Sequence, residues 1–490
     1  MKRLCAATLG GLPADVARPD YDRAALATGI VHLGIGAFQR AHQAVYTEGV
    51  LNAGDLRWGI VGASLRSPAV RDALTPQDNL YTLAVRGAEG ERLRVIGAIR
   101  EVLVAPEDPE ALLRAMCDPA VKIVTLTVTE KGYCYDPATT ALDEAHPDIV
   151  HDLANPARPR SVPGILVEAL RRRREAQISA FTVLCCDNLP HNGRTVAAIV
   201  TRFAALRDPA LAGYIRNEVA FPSTMVDRIT PATTPEDRAA ISARLGLDDA
   251  APVVTEPFCQ WVIEDRFPEG RPDWGIAGAE FVTDVAPYEN MKLRLLNGSH
   301  STLAYLGYLA GYETVADTMQ DANYRRLAEG VMDDAATTLK MPPGADVAAY
   351  KRALLERYAN PALRHRTWQI CMDGSQKLPQ RLLGSIRDRI GAGAPIDRLV
   401  MGVAGWMRYV TGIDEQGKPI DVRDPLSARL RAIADEAGLV AERLAPALLD
   451  VREIFGAELA AEPRFRAAAT DALSRIIARG AKVAVAETGV

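Results

Sequence analysis

The chain has 490 residues, of which 48% are hydrophobic and 24% charged, and carries a formal net charge of -5. That length is more than one hydrophobic core ordinarily serves and predicts two domains of globular type. The acidic balance excludes a nucleic-acid surface, which needs a basic patch. The one dense basic run, Arg171 to Arg174, is followed by Glu175 and reads as the solvated face of a helix.

In chain order, the opening MKRLCAATLGGLPADV has basic residues, but its short apolar run soon meets Pro13 and Asp15, so it does not read as a signal peptide. GIVHLGIG (29–36) predicts a buried strand entering a glycine turn. From Ala37 to Leu51 the apolar positions Ala41, Ala44, Val45 and Leu51 fall at helical spacing, with Gly54 as a stop. WGIVGAS (58–64) predicts a second strand. VKIVTLTV (121–128) and AFTVLCC (180–186) predict two more, each after a helical pattern (109–116 and 165–176). Strands alternating with helices predict a parallel sheet covered on both faces, an α/β domain of Rossmann type.

After residue 285 the strand signal fades, and helical patterns run through 291–311, 322–339, 347–358, 396–411, 426–438, 443–455 and 465–480. The expected organisation is a dinucleotide-binding domain over 1–285 and a mostly helical catalytic domain over 286–490. No stretch approaches the roughly eighteen consecutive apolar residues of a membrane helix. The seven cysteines are scattered apart from the neighbours Cys185 and Cys186, which predicts a reducing compartment, the cytoplasm.

Two segments carry chemistry. Gly34-Ile35-Gly36 follows the first strand and opens a helix, where one glycine permits a tight turn and the other lets backbone amides approach a pyrophosphate. The third glycine of the usual pattern is missing, since Gln39 stands there. Leu33, Ala37, Phe38 and Arg40 flank the turn and complete the expected cofactor-binding set. A carboxylate for the ribose hydroxyls should end the second strand, but that strand runs Gly62-Ala63-Ser64-Leu65-Arg66, with no acid before Asp72. Arg66 suits a 2′-phosphate instead, which leaves NAD against NADP open, with NAD the expected cofactor.

The second segment is MKLRLLNGSHSTLAYLGYLAG (291–311). At roughly 100° per residue, Lys292, Asn297 and His300 fall at about 0°, 140° and 80° around a helix. All three then address one cleft: a lysine to exchange the alcohol proton, an amide for the developing oxyanion, an imidazole for a neighbouring hydroxyl. The bland alternative is a surface lysine, a kink at Asn297-Gly298 and a satisfied core histidine. The seven histidines show no H-x-x-x-H pairing and no C-x-x-C occurs, so no metal is expected.

IVHLGIGAFQRAHQA (30–44), TVTEKGYC (127–134), CCDNLPHNG (185–193), FPSTMVDRITP (221–231), MKLRLLNGSH (291–300) and RHRTWQICMDGSQKLPQR (364–381) together resemble the polyol-specific long-chain dehydrogenases, the family of mannitol 2-dehydrogenase and fructuronate reductase. The resemblance spans about residues 20 to 455. It implies a Rossmann-type domain, a helical domain and a substrate cleft between them. It further implies Lys292 as general acid/base, Asn297 and Asn188 as oxyanion donors, His300 as a substrate-orienting residue, and Asp227 and Lys377 at the polar end of the site. TWQICMDGSQKLPQR and TVTEKGYC look closer to fructuronate reductases, and Gln369 stands where the mannitol enzymes have an arginine. Gly62 departs from the acid expected of a fructuronate reductase after the second strand. A sugar acid needs cations for its carboxylate, for which Arg364, His365, Arg366 and Lys377 are candidates, with Lys131 behind them.

The expected activity is therefore reversible D-mannonate/D-fructuronate oxidoreduction with NAD. The alternatives are D-mannitol/D-fructose oxidoreduction or a non-catalytic sugar-acid sensor. The expected partner is a small sugar acid or polyol, with no nucleic acid or membrane, and the chain serves as monomer or dimer.

Overall fold

The computed structural model describes residues 1–136 and 141–488. The chain divides into two compact units, Met1–Ala286 and Pro287–Val490.

In the first unit five parallel strands form the main sheet: β1 (Thr28–Leu33), β2 (Gly59–Ser64), β5 (Ile99–Val104), β6 (Ile123–Leu126) and β7 (Thr182–Cys185), in the order β5-β2-β1-β6-β7. Counted in chain order this is 3-2-1-4-5, the doubly wound arrangement, with its switch point between β1 and β6. Four of them are nearly continuous apolar runs because both faces are covered, while the edge strand β5, which the sequence pattern does not announce, exposes Arg100 and Glu101. His32 is the exception inside β1. Its two ring nitrogens lie 2.7 and 2.9 Å from the hydroxyls of Thr125 and Thr127, and burial holds its pKa down to about 3.

Two small sheets accompany the main one. β3 (Tyr81–Gly87) and β4 (Gly90–Ile96) form an antiparallel hairpin, and β9 (Val253–Thr255) runs parallel to β3. β10 (Gln260–Glu264) pairs antiparallel with β8 (Thr224–Asp227) and parallel with β11 (Glu280–Val282). None of these is expected from the sequence pattern. The hairpin turn holds Ala88 and Glu89 rather than the Asn-Gly type of pair that announces a two-residue turn.

Three local expectations are corrected. The helix after β1 is interrupted: Ala37–Ala41 and Gln43–Asn52 are separated by His42, whose φ of -122° and ψ of -88° leave the helical region. Gly62 does not follow the second strand but lies inside it, opposite His32. A Cβ there would come within 2.3 Å of Ile35, so the position needs its close approach rather than an acid. The basic run is not uniformly solvated. Arg173 is fully buried and donates to the carbonyls of Met116, Asp118, Val121 and Ser179, binding the helix Val162–Glu175 to the end of Pro109–Met116. Arg171 and Arg172 converge with Arg207 on Glu168, which is itself fully buried.

The second unit is helical. Its core gathers around Gly298–Leu309 and Asp397–Tyr409, with Pro463–Arg479 packed on the latter. All seven cysteines are free thiols. No helix among the described residues is long and apolar enough to cross a membrane.

Candidate active site

At the carboxyl ends of β1, β2 and β6 the first unit encloses a cavity of about 890 Å³. Gly34, Ile35 and Gly36 form one wall, Thr127 to Thr129 another, and the β2 loop with Arg66 a third. Gly34 has a φ of +93°, and a Cβ there would come within 2.2 Å of the Thr127 carbonyl, so this turn admits only glycine. Open parallel sheets bind their ligands at this switch point, and the cavity suits a dinucleotide in both place and size.

Of the residues expected at the cofactor, Gly34, Ile35, Gly36 and Arg66 line this cavity. Leu33 is fully buried in the sheet. Ala37 and Phe38 lie outside the cavity wall, Phe38 stacking on His42 at 5.0 Å between ring centroids. Arg40 turns the other way: it donates to the Ala251 carbonyl at 2.6 Å and lies over the Tyr81 ring, a packing role that takes it from the cofactor.

The segment after β7 is held by a small network. Asp187 accepts from the Val128 and Thr129 amides and, at 2.6 Å, from the Tyr133 hydroxyl, joining the loops that follow β6 and β7. Asn192 donates to the carbonyls of Asp187 and Thr224 and accepts from the Thr224 amide. A Cβ on Gly193 would lie 2.5 Å from the Phe221 carbonyl. The CCDNLPHNG and FPSTMVDRITP segments are thus one scaffold. It presents Asn188 exposed beyond β7 and Asp227 buried at the end of β8. Arg228 spends its guanidinium on the Ala41 and Glu256 carbonyls.

In the second unit, Lys292–Asn297 is a π-helical turn followed directly by Gly298–Leu309. The Gly298 amide reaches back five residues to the Leu293 carbonyl. This corrects the α-helical placement: with the wider turn, Asn297 stands about one turn beyond Lys292 and comes closer to its face. Two of the carbonyls in the turn gain side-chain donors, Leu295 from the Ser299 hydroxyl at 2.5 Å and Leu296 from the Tyr358 hydroxyl at 2.7 Å. A second π turn, Pro379–Leu383, arises where Pro379 lacks the amide an α-helix would use, and Gly384 bonds back to the Pro379 carbonyl. The two turns pack together at Gly298, where a Cβ would meet the Arg381 carbonyl at 2.7 Å, and Arg381 donates to Ser301 at 2.9 Å.

Lys292 and His300 are both buried, at 8% and 6% exposure, and Asn297 is half-buried. His300 stacks on Tyr358 and meets His365 edge-on, with ring centroids 5.3 and 4.7 Å away. Its Nε2 and the Nδ1 of His365 are buried with no hydrogen-bond partner among the described residues. Burial first, then the neighbouring His365 and the charges of Arg381, Arg357 and Lys377, hold His300 well below the ordinary imidazole range. Burial and Lys377 hold His365 at about 4. Both rings are therefore neutral at working pH and offer a donor and an acceptor to a ligand. Arg357 and Arg381 are additions that the sequence reading passed over; both stand on helical stretches where nothing local marks them. Lys377 donates to the Met372 carbonyl at 2.6 Å. Arg364 and Arg366 are exposed and face Glu313 at 3.7 Å each, which sets them apart from the histidine cluster. The side chain of Lys131 lies outside the described residues.

One trio of potential metal donors occurs among the described residues: Cys134, His146 and Asp148, within 4.8 Å of one another. Burial pushes the Cys134 thiol up to about 12, and His146 Nδ1 already accepts the Asp148 amide at 3.2 Å. A protonated thiol and an engaged imidazole nitrogen make a poor ligand set.

The first unit has the switch-point cavity and glycine turn of a dinucleotide-binding domain, and the second carries a buried lysine and histidine with a half-buried amide on one helical stretch. The mannitol dehydrogenase Rossmann domain profile matches residues 28–276, and the mannitol dehydrogenase C-terminal domain profile matches 284–477. The chain belongs to the mannitol dehydrogenase family of oxidoreductases. It is 51% identical to the D-mannonate oxidoreductase of Escherichia coli over 477 residues, 96% of this chain and 98% of that one. It is 42% identical to the mannitol 2-dehydrogenase of Aspergillus terreus over 473 residues, covering 94% and 93%. Its fold matches the Pseudomonas fluorescens mannitol 2-dehydrogenase ternary complex with NAD and D-mannitol, at a TM-score of 0.89 and 40% identity, covering 99% and 98%.

Proposed function

We propose that this protein reversibly interconverts D-mannonate and D-fructuronate with NAD(H), using Lys292 as acid/base and no metal. The observation that carries the reading is that buried Lys292 shares one helical stretch with His300, whose buried Nε2 has no hydrogen-bond partner among the described residues. A buried polar atom without a partner calls for a ligand or a water. The cations bearing on His300 favour an anionic substrate over a neutral polyol, in line with the 51% identity to a D-mannonate oxidoreductase.

NAD, held at Gly34, Ile35 and Gly36, supplies the two-electron hydride chemistry when bound. In reduction Lys292 gives a proton from Nζ to the growing alkoxide, and in oxidation it takes that proton back. Asn188 and Asn297 donate to the oxyanion, and His300 fixes the neighbouring hydroxyl. Asp227 and Lys377 hold the polar end of the sugar.

The test is NADH oxidation by the purified protein offered D-fructuronate, D-tagaturonate and D-fructose side by side. A kcat/KM for fructuronate at least a hundredfold above that for fructose is expected. Equal or better turnover of fructose moves the protein to D-mannitol/D-fructose oxidoreduction, the reading that the fold match to a mannitol 2-dehydrogenase favours.

A further inference from the structure

The cavity in the first unit extends past the glycine turn to the β2 loop, Ser64-Leu65-Arg66-Ser67. In dinucleotide folds of this order a carboxylate at the end of the second strand binds the ribose hydroxyls, and its charge repels a 2′-phosphate. Here β2 ends at Ser64. The next acid along the chain, Asp72, and Glu107 beyond neighbouring β5 are both bound by Arg71. Among the described residues lining the cavity Asp148 is the one carboxylate, and it belongs to the helix Pro147–Ala154, beside Cys134 and His146.

Arg66 stands where the acid is missing. The loop holds its own shape, since Ser64 Oγ donates to the Ser67 carbonyl at 2.5 Å and Ser67 Oγ accepts the Ala69 amide at 3.2 Å. The Arg66 side chain needs no part in that and makes no hydrogen bond or ion pair among the described residues. Arg158 and Arg160 line the same cavity, so three guanidinium groups face one carboxylate. A planar guanidinium matches a phosphate in charge and in paired donors.

We propose that Arg66 makes this cavity a site for a 2′-phosphorylated dinucleotide, so that the enzyme takes NADP(H) as well as NAD(H). This rests on reading the cavity as the dinucleotide site, and the experiment separates the two. The full-length protein is titrated calorimetrically with 5′-AMP and with 2′,5′-ADP, which differ only in the 2′-phosphate. The expected result is binding of 2′,5′-ADP at least tenfold tighter than of 5′-AMP. Arg66→Ala should bring that ratio close to one and Arg66→Lys should keep part of it. The kcat/KM ratio of NADPH to NADH should fall at least tenfold in Arg66→Ala. Binding of 5′-AMP with no gain from the 2′-phosphate overturns the proposal and leaves the cavity reading standing. So does an equal loss of both ligands in Arg66→Ala, which would place Arg66 on a part that they share. Failure of both ligands to bind overturns the cavity reading, and this proposal with it.

Discussion

Lys292 is 8% exposed, so little water competes for its Nζ. Removing it should cost most where the proton moves. Lys292→Ala should lower kcat by about a hundredfold to ten-thousandfold, the range for loss of a general acid/base. Single-turnover measurements with a deuterated coenzyme would check this, and near-normal turnover by the variant would remove Lys292 from the mechanism. At this scale the sequence spoke unevenly. Lys292, Asn297 and His300 stood out because a base, an amide and an imidazole fall at helical spacing beside a leucine-rich face. Arg40 and Arg173 misled, because their partners are backbone carbonyls brought from distant segments. No spacing in a chain announces a carbonyl waiting for a guanidinium.

Four strands of the parallel sheet were legible for a physical reason: strands covered on both faces are written as unbroken apolar runs. The edge strand β5, with Arg100 and Glu101 exposed, lacks that signature and was not expected. The hairpin and the short strands near β8 and β10 lack that signature, and the two π turns lack any. KLRLLN reads as ordinary α-helix, and the wider turn shows only in the structure, where the Gly298 amide reaches back five residues to the Leu293 carbonyl. The joint between the two turns depends on Gly298. Gly298→Ala should destabilise the protein by about 1–3 kcal/mol, the cost of overpacking a tight contact, because a Cβ would sit 2.7 Å from the Arg381 carbonyl. Urea unfolding measures that loss. The same variant should lose turnover beyond its loss of stability, since Asn297 and His300 flank the position. A variant as stable and active as the parent would show that the contact relaxes freely.

For the molecule as a whole, pH acts through histidines buried in both units. His32 is held at about 3 and His365 at about 4, against roughly 6.5 when unfolded, and His300 moves the same way. The unfolded chain therefore binds more protons than the native one throughout this window. Their contribution is complete above pH 6.5 and is lost as pH falls toward 4 and then 3. For fully buried His32 the loss is about 2 kcal/mol by pH 5. Urea midpoints at pH 7, 6 and 5 should fall in that order, and a flat series would mean that the rings titrate in the folded protein as they do in the unfolded chain. The thiols described above have a practical consequence. Burial raises the pKa of Cys117, Cys134, Cys185, Cys186, Cys259 and Cys371, so six of the seven are poor thiolates. A maleimide dye at neutral pH should attach first at Cys5, giving the wild-type chain one fluorescent handle at its amino end without mutagenesis.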